Sequence, residues 1–279
     1  MNTKHQAKAS PNLSQVRNIV VVASGKGGVG KSTTAVNLAL ALHRLGCKTG
    51  LFDADIYGPS QPLMLGVAGA RPEIVNGNQM QPITAHGIKC NSVGFLVDDN
   101  QAMVWRGPMV VGAFNQILND TRWGELDFLV IDMPPGTGDI QLSLAQSVPV
   151  TGAVIVTTPQ DVALLDAKRG IEMFRKVQVP ILGVVENMGI HICSQCGHSE
   201  HIFGAGGAER IAKDYGVELL GSLPLDARIR EQCDAGTPAV AAEPNGQVAG
   251  IYAAIAIRVR DQLAGGVASK APRIDVVDD

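Results

Sequence analysis

A doubly wound α/β fold, a mostly parallel sheet flanked by helices in one domain, is what this sequence predicts. Short β-branched and apolar runs alternate with longer segments of helical spacing, the pattern of a parallel sheet with crossover helices. The first run ends in a glycine-rich turn that opens a helix, and two later runs end in aspartates, so polar chemistry gathers at the carboxyl ends of the strands. With 279 residues and 46% hydrophobic content, the chain has material for one continuous core.

Taken in order, residues 1–17 are polar, lack the apolar stretch of a signal peptide and read as a flexible tail ahead of a domain over 18–265. Residues 18–23 form the first strand and 32–45 the first helix. Residues 48–52 form the next strand, which ends at Asp53-Ala54-Asp55; Gly58-Pro59-Ser60 and Gly66 then mark a long loop. Residues 71–94 alternate in short pieces, 79–83 and 88–93, and predict a small β-excursion away from the main sheet. Residues 126–131 are a buried strand ending at Asp132. Strands follow at 153–157 and 181–186 with a helix over 162–177 between them, then a short strand at 217–222 and a closing helix over 248–263. Residues 266–279 read as a second tail.

The net charge of -3, with no long Lys/Arg cluster, excludes a polyanion-binding surface, so nucleic acid is not an expected partner. No stretch approaches the roughly eighteen uncharged apolar residues of a membrane span, and the chain ends in an acidic segment, Ile274-Asp275-Val276-Val277-Asp278-Asp279. No membrane contact is expected, and the cytoplasm is the expected address. The five cysteines form no disulfide framework. Cys47, Cys90 and Cys233 are isolated and expected to be buried thiols, whereas Cys193 and Cys196 form a C-x-x-C pair.

Gly25-Lys26-Gly27-Gly28-Val29-Gly30-Lys31-Ser32, followed by Thr33, carries the main chemical signal. It satisfies G-x-G-x-x-G, and Asp53 stands at the next strand end as a dinucleotide-binding acid would. Gly30-Lys31-Ser32 decides against that reading. An ammonium for β- and γ-phosphate and a hydroxyl for Mg²⁺ serve a triphosphate and are superfluous for a dinucleotide. Glycines let successive N–H groups converge on phosphate oxygens, and the following helix adds its positive end. Two lysines beside four glycines suit a multiply charged anion. Asp132 supplies the strand-end acid for Mg²⁺, and Gly136, in Met133-Pro134-Pro135-Gly136-Thr137-Gly138-Asp139, has an N–H to meet the γ-phosphate. Asp53 and Asp55 enter the same region; one orients water, or Asp53 only caps its loop.

The loop resembles the deviant Walker A of the nitrogenase iron protein and cell-division (MinD/ParA) ATPase superfamily, whose signature is the early lysine, here Lys26. Asp53-Ala54-Asp55-Ile56-Tyr57-Gly58-Pro59-Ser60, Trp105-Arg106-Gly107-Pro108, the Asp132 segment, Thr157-Thr158-Pro159-Gln160 and Glu186-Asn187-Met188 narrow the resemblance to Mrp/ApbC-type iron-sulfur cluster carriers. The resemblance implies a P-loop ATPase working as a homodimer. In it Lys26 crosses to the partner's phosphates, Asp55 activates water, Ser32 and Asp132 serve Mg²⁺, Asn187 contacts adenine, and Pro224 and Asp226 flank the base. The sequence adds support for ATP, because no guanine-reading Asn-Lys-x-Asp follows the strand at 181–186. Many bacterial members carry a small domain before the loop, where this chain has a short polar segment.

Cys193 and Cys196 lie in a polar stretch, 191–201, with His191, His198 and His201. Two thiolates are half of the Cys₄ set of a cluster, and a symmetric dimer doubles them. A Cys₂His₂ zinc site within one chain is the alternative. The resemblance implies a bridging 4Fe-4S cluster as cargo, delivered to apo iron-sulfur proteins or exchanged with scaffold proteins. The competing function is a positioning ATPase of the cell-division kind.

Overall fold

The structure is a computed structural model and describes residues 12–95, 107–193 and 195–265. In chain order, β1 (Val16–Ala23) leads into α1 (Lys31–Arg44) and β2 (Thr49–Asp53). A short α2 (Gln61–Met64) and four small strands follow: β3 (Glu73–Val75), β4 (Gln79–Gln81), β5 (Ile83–Ala85) and β6 (Ile88–Ser92). Then come α3 (Gly107–Asp120), β7 (Leu126–Asp132), α4 (Asp139–Ser147), β8 (Gly152–Thr157), α5 (Asp161–Lys176) and β9 (Ile181–Ile192). The chain continues through β10 (Ser199–Glu200), α6 (Gly207–Tyr215), β11 (Leu219–Leu225), α7 (Ala227–Asp234), α8 (Ala239–Ala242) and α9 (Gln247–Ala264).

Among the described residues, nine strands form one sheet, ordered β10-β9-β8-β1-β7-β2-β6-β5, with β11 pairing β9. All the central pairings are parallel; β5 and β10 pair antiparallel. The chain leaves β1 toward β2 on one side and later returns to β8 on the other, which opens a crevice at the carboxyl end of β1. Period-two alternation divides β1 between two cores: Ile19, Val21 and Ala23 face the layer of α3, α4, α5 and α6, whereas Val20 and Val22 face α1, α8 and α9. Both faces are covered, which is why the central strands read as continuous apolar runs rather than alternating ones. Among the described residues, no helix is long and apolar enough to cross a membrane.

Three expectations change. Residues 88–93 are not part of an excursion, because β6 pairs β2 in parallel inside the main sheet; among the described residues only β3 and β4 form a separate ribbon. β9 runs on to Ile192, where the pattern predicted an end at Glu186. Met188 lies in the left-handed region at φ 60, and β9–β11 pairing shifts register there, so the apolar signal breaks while the strand continues. The first strand starts at Val16, and the segment before it is packed: Leu13 is buried in the core and Asn12 Nδ2 donates to the Asn119 carbonyl at 2.8 Å.

Trp123 anchors the core beneath β2. It is fully buried, its indole N–H donates to the Leu118 carbonyl at 3.0 Å, and it meets Phe52 edge-on at 6.3 Å between ring centroids. Trp123→Ala removes the largest fully buried side chain among the described residues and is expected to cost about 3–5 kcal/mol, read as a lower midpoint in denaturant unfolding.

Candidate functional site

The glycine-rich loop joins β1 to α1 at the crevice. Gly30 precedes α1 in the left-handed region at φ 85, and no side chain caps the helix, so its first N–H groups are left for a ligand. Two glycines are demanded by neighbours. A Cβ on Gly25 would stand 2.2 Å from the backbone of Asp166 on α5, and one on Gly30 would stand 2.1 Å from Asn187 Nδ2. By contrast, a Cβ on Gly27 or Gly28 would meet nothing within 4 Å; here the loop faces open space. Lys26 lies in this open stretch, half-buried, and makes no salt bridge among the described residues.

Below the loop, β2 and β7 bring three acids together. The Lys31 ammonium sits 2.5 Å from Asp132 Oδ1, 3.0 Å from Ser32 Oγ and 3.8 Å from Asp55 Oδ2. The other Asp132 oxygen accepts from Gln61 Nε2 at 2.9 Å. Burial raises the Asp55 carboxyl above its ordinary value, and its Oδ1 is buried without a partner. One ammonium thus serves a hydroxyl and two carboxylates, an all-oxygen set that fits a hard divalent cation such as Mg²⁺.

Asp53, weighed as a catalytic residue, is placed otherwise. It is fully buried, and both oxygens are occupied: Oδ1 by the N–H of Asp55 at 3.1 Å, and Oδ2 by the N–H groups of Ser60 and Gln61 at 3.0 Å and the Ser92 hydroxyl at 3.1 Å. Burial and the nearby Asp132 push its carboxyl up to about 7, against these donors. Asp53 shapes the segment that carries Asp55, which is the capping role left open by the sequence.

Other sequence candidates are also engaged locally. The Gly136 N–H donates to the Ser24 carbonyl at 2.9 Å, so it is occupied in this structure. Asn187 is nearly buried and its Nδ2 donates to the Val29 carbonyl at 3.0 Å, bracing the loop from below. Pro224 pairs with Ile190 in the sheet, level with the approach to the cysteines. Asp226 caps α7 through the Arg228 N–H at 2.9 Å and grips the Arg228 guanidinium, which holds its carboxyl below the usual range. Trp105 and Arg106 lie outside the described residues, as do the tails 1–11 and 266–279.

Sequence reasoning missed two residues here. Gln61 joins Asp132 to the loop, and Glu186 accepts from the Ala208 N–H and the Ser222 hydroxyl, both at 3.1 Å, pinning α6 and β11 to β9. The Gln61 signal was its place eight residues after a strand-end aspartate, at the start of a helix; composition alone gives no such hint.

The cysteines lie at the tip of the β9–β10 hairpin. The Cys193 N–H donates to the His198 carbonyl and the Gly197 N–H to the Cys193 carbonyl, both at 2.9 Å, with Gly197 in the left-handed region at φ 72. Cys193 is half-buried and Cys196 exposed. The N–H groups of Gln195 and Cys196 at the Cys193 sulfur lower its thiol pKa, favouring the thiolate that metals require. The single-chain zinc set does not assemble: among the described residues no three His, Cys, Asp or Glu side chains are grouped for a metal. His191 and His201 instead turn Nδ1 to the carbonyls of Leu225, at 3.1 Å, and Gly189, at 2.6 Å. Cys90 and Cys233 are buried as expected, with thiols pushed up to about 12 and about 11, but Cys47 is partly exposed.

Comparison with known proteins agrees with this geometry. Residues 15–260 match the family model ParA, described as NUBPL iron-transfer P-loop NTPase. An iron-sulfur cluster carrier protein of Pseudomonas fragi is 63% identical over 91% of this chain and 89% of its own length. The nucleotide-binding protein of Archaeoglobus fulgidus, solved in complex with ADP, superposes with a TM-score of 0.72 at 35% identity, over 81% of this chain and 88% of that one. The septum site-determining protein MinD of Pyrococcus horikoshii, complexed with Mg-ADP, gives 0.66 at 27% identity, over 90% of this chain and 98% of that one. The carrier is far more similar than the positioning protein, and the carrier reading is therefore favoured.

Asp53→Ala strips a partner from three backbone N–H groups and the Ser92 hydroxyl at once. It is expected to lower stability by about 2–4 kcal/mol, measured by denaturant unfolding without nucleotide; unchanged stability contradicts the anchoring role.

Proposed function

This chain belongs to the NUBPL iron-transfer P-loop NTPase family, and from that premise we propose that it is an ATP-hydrolysing iron-sulfur cluster carrier. A 4Fe-4S cluster is its cargo, bridged between two copies by Cys193 and Cys196 of each and delivered to apoproteins. The observation that carries this reading is β9. Asn187 braces the phosphate loop, and the same strand continues to Ile192, immediately before Cys193. Asn187, which touches the loop, and the cysteine pair thus lie along one strand and its continuation, separated by at most about 20 Å of extended chain.

ATP binds with its phosphates on the loop amides from Gly27 to Thr33. Lys31 then turns from Asp132 toward the phosphates. Ser32 and Asp132 would hold Mg²⁺, which when bound offsets phosphate charge during transfer. Asp55, whose Oδ1 is free of protein partners, orients the attacking water. Lys26, without a salt bridge of its own in the open part of the loop, reaches the phosphates of a second copy. Loop movement on binding or hydrolysis passes through Asn187 along β9 and alters how tightly the cysteine hairpins hold the cluster.

Anaerobic reconstitution with iron and sulfide tests the cargo. About four iron and four sulfide per dimer are expected for the native chain, and none for Cys193→Ala/Cys196→Ala; zinc without sulfide, or retention by the double variant, rejects the reading. For Lys26, Lys26→Ala should lower hydrolysis by about 10³ to 10⁵. Mixing Lys26→Ala with Asp55→Ala should restore part of the activity, because a mixed dimer keeps one site with Asp55 in place and Lys26 arriving from the other copy. No recovery contradicts action across the dimer.

A further inference from the structure

Three buried side-chain atoms without a hydrogen-bond partner among the described residues are Asp55 Oδ1, Ser60 Oγ and Gln61 Oε1. All fall between residues 55 and 61, the segment that Asp53 fixes through its backbone N–H groups. Burying one polar atom without a partner is unfavourable, and three on one short segment beside a phosphate loop call for polar partners that the protein does not supply.

Gln61 is the most constrained. It is 1% exposed, and Nε2 donates to the Ser32 carbonyl at 3.0 Å and to Asp132 Oδ2 at 2.9 Å. These two acceptors fix the amide's orientation, because the flipped amide would turn its oxygen toward both. Nε2 therefore links the two residues that serve the divalent ion, and Oε1 is left as a buried acceptor in need of a donor. Carbonyls and carboxylates give none, the Lys31 ammonium donates to Asp132 and Ser32 and not to Oε1, and a metal-bound water has two hydrogens to offer.

We propose that Gln61 is a positioning residue for the nucleotide's divalent ion: Nε2 locks Asp132 and the Ser32 backbone in one register, and Oε1 accepts from a water of the ion's shell. The inference rests on the ATPase reading above. Partners of metal ligands typically change metal affinity by about 10–100-fold when removed.

The test compares the full native chain with Gln61→Met, of similar length but without polar atoms, and Gln61→Asn, which keeps the amide one methylene too short to span both acceptors. Three quantities are measured: ATP binding in EDTA, the Mg²⁺ midpoint of hydrolysis, and the electron paramagnetic resonance spectrum of Mn²⁺ bound with ATP. Expected are unchanged ATP binding in EDTA, a Mg²⁺ midpoint raised by about 10–100-fold and an altered Mn²⁺ spectrum. If Gln61→Met does not fold, Gln61→Asn carries the same expectation. An unmoved midpoint and spectrum with normal native binding overturn the role of Gln61 alone, leaving an ordinary buried water at Oε1. A native chain that binds no nucleotide overturns the functional reading and this inference together.

Discussion

Three carboxylates buried around one ammonium set the terms for the rest of the site. Asp53, Asp55 and Asp132 cluster at the ends of β2 and β7, with Lys31 as the cation among them. Buried charge is costly unless paired and hydrogen-bonded, so each acid has to be held differently. Asp53 is held by its own loop, and Asp132 by Lys31 and Gln61. Asp55 has a long contact with Lys31, backbone N–H donors from Tyr57 and Gly58, and one bare oxygen, Oδ1. The site is therefore short of positive charge and of hydrogen-bond donors in the one place where a metal-nucleotide complex brings both.

That imbalance explains the local architecture. The segment from Asp55 to Gln61 cannot relax to satisfy its buried atoms, because Asp53 grips its backbone. The phosphate loop cannot sag, because Asn187 and α5 press on Gly30 and Gly25. Preorganisation of this kind places dipoles before the ligand arrives, so little reorganisation is left for the reaction itself.

Much of this was legible in the sequence. The alternating runs gave the doubly wound sheet, because strands buried on both faces must be continuously apolar. The loop and Asp132 were legible because phosphate and metal binding demand particular residue types at strand ends. What was hidden depends on partners distant in sequence. Glu186 and Asn187 looked like the end of a strand, since polar residues broke the apolar run; their partners, Val29, Ala208 and Ser222, make them interior. Residues 88–93 looked peripheral because Gly and Pro interrupt the 71–94 segment that holds them, yet parallel pairing with β2 is a long-range choice that local pattern does not encode. The capping of α7 by Asp226 and its grip on Arg228 were likewise hidden, because a resemblance speaks of ligand contacts and not of local partners.

The long β9 is the feature that lies between the two proposed sites: Asn187 meets the phosphate loop, and the strand ends at Ile192 beside Cys193. Its pairing with β8 ends at Glu186 and its pairing with β11 shifts register before Ile190, so beyond Asn187 the strand is held by β11 and β10 as it runs into the cysteine hairpin. The most direct measurement is the rate of cluster transfer from the reconstituted protein to an apoferredoxin, taken without nucleotide, with ATP and with ADP, for the native chain and for Asn187→Ala. The account predicts rates that differ between nucleotide states in the native chain and converge in Asn187→Ala. Identical rates in all states of the native chain, with ATP demonstrably bound, contradict it.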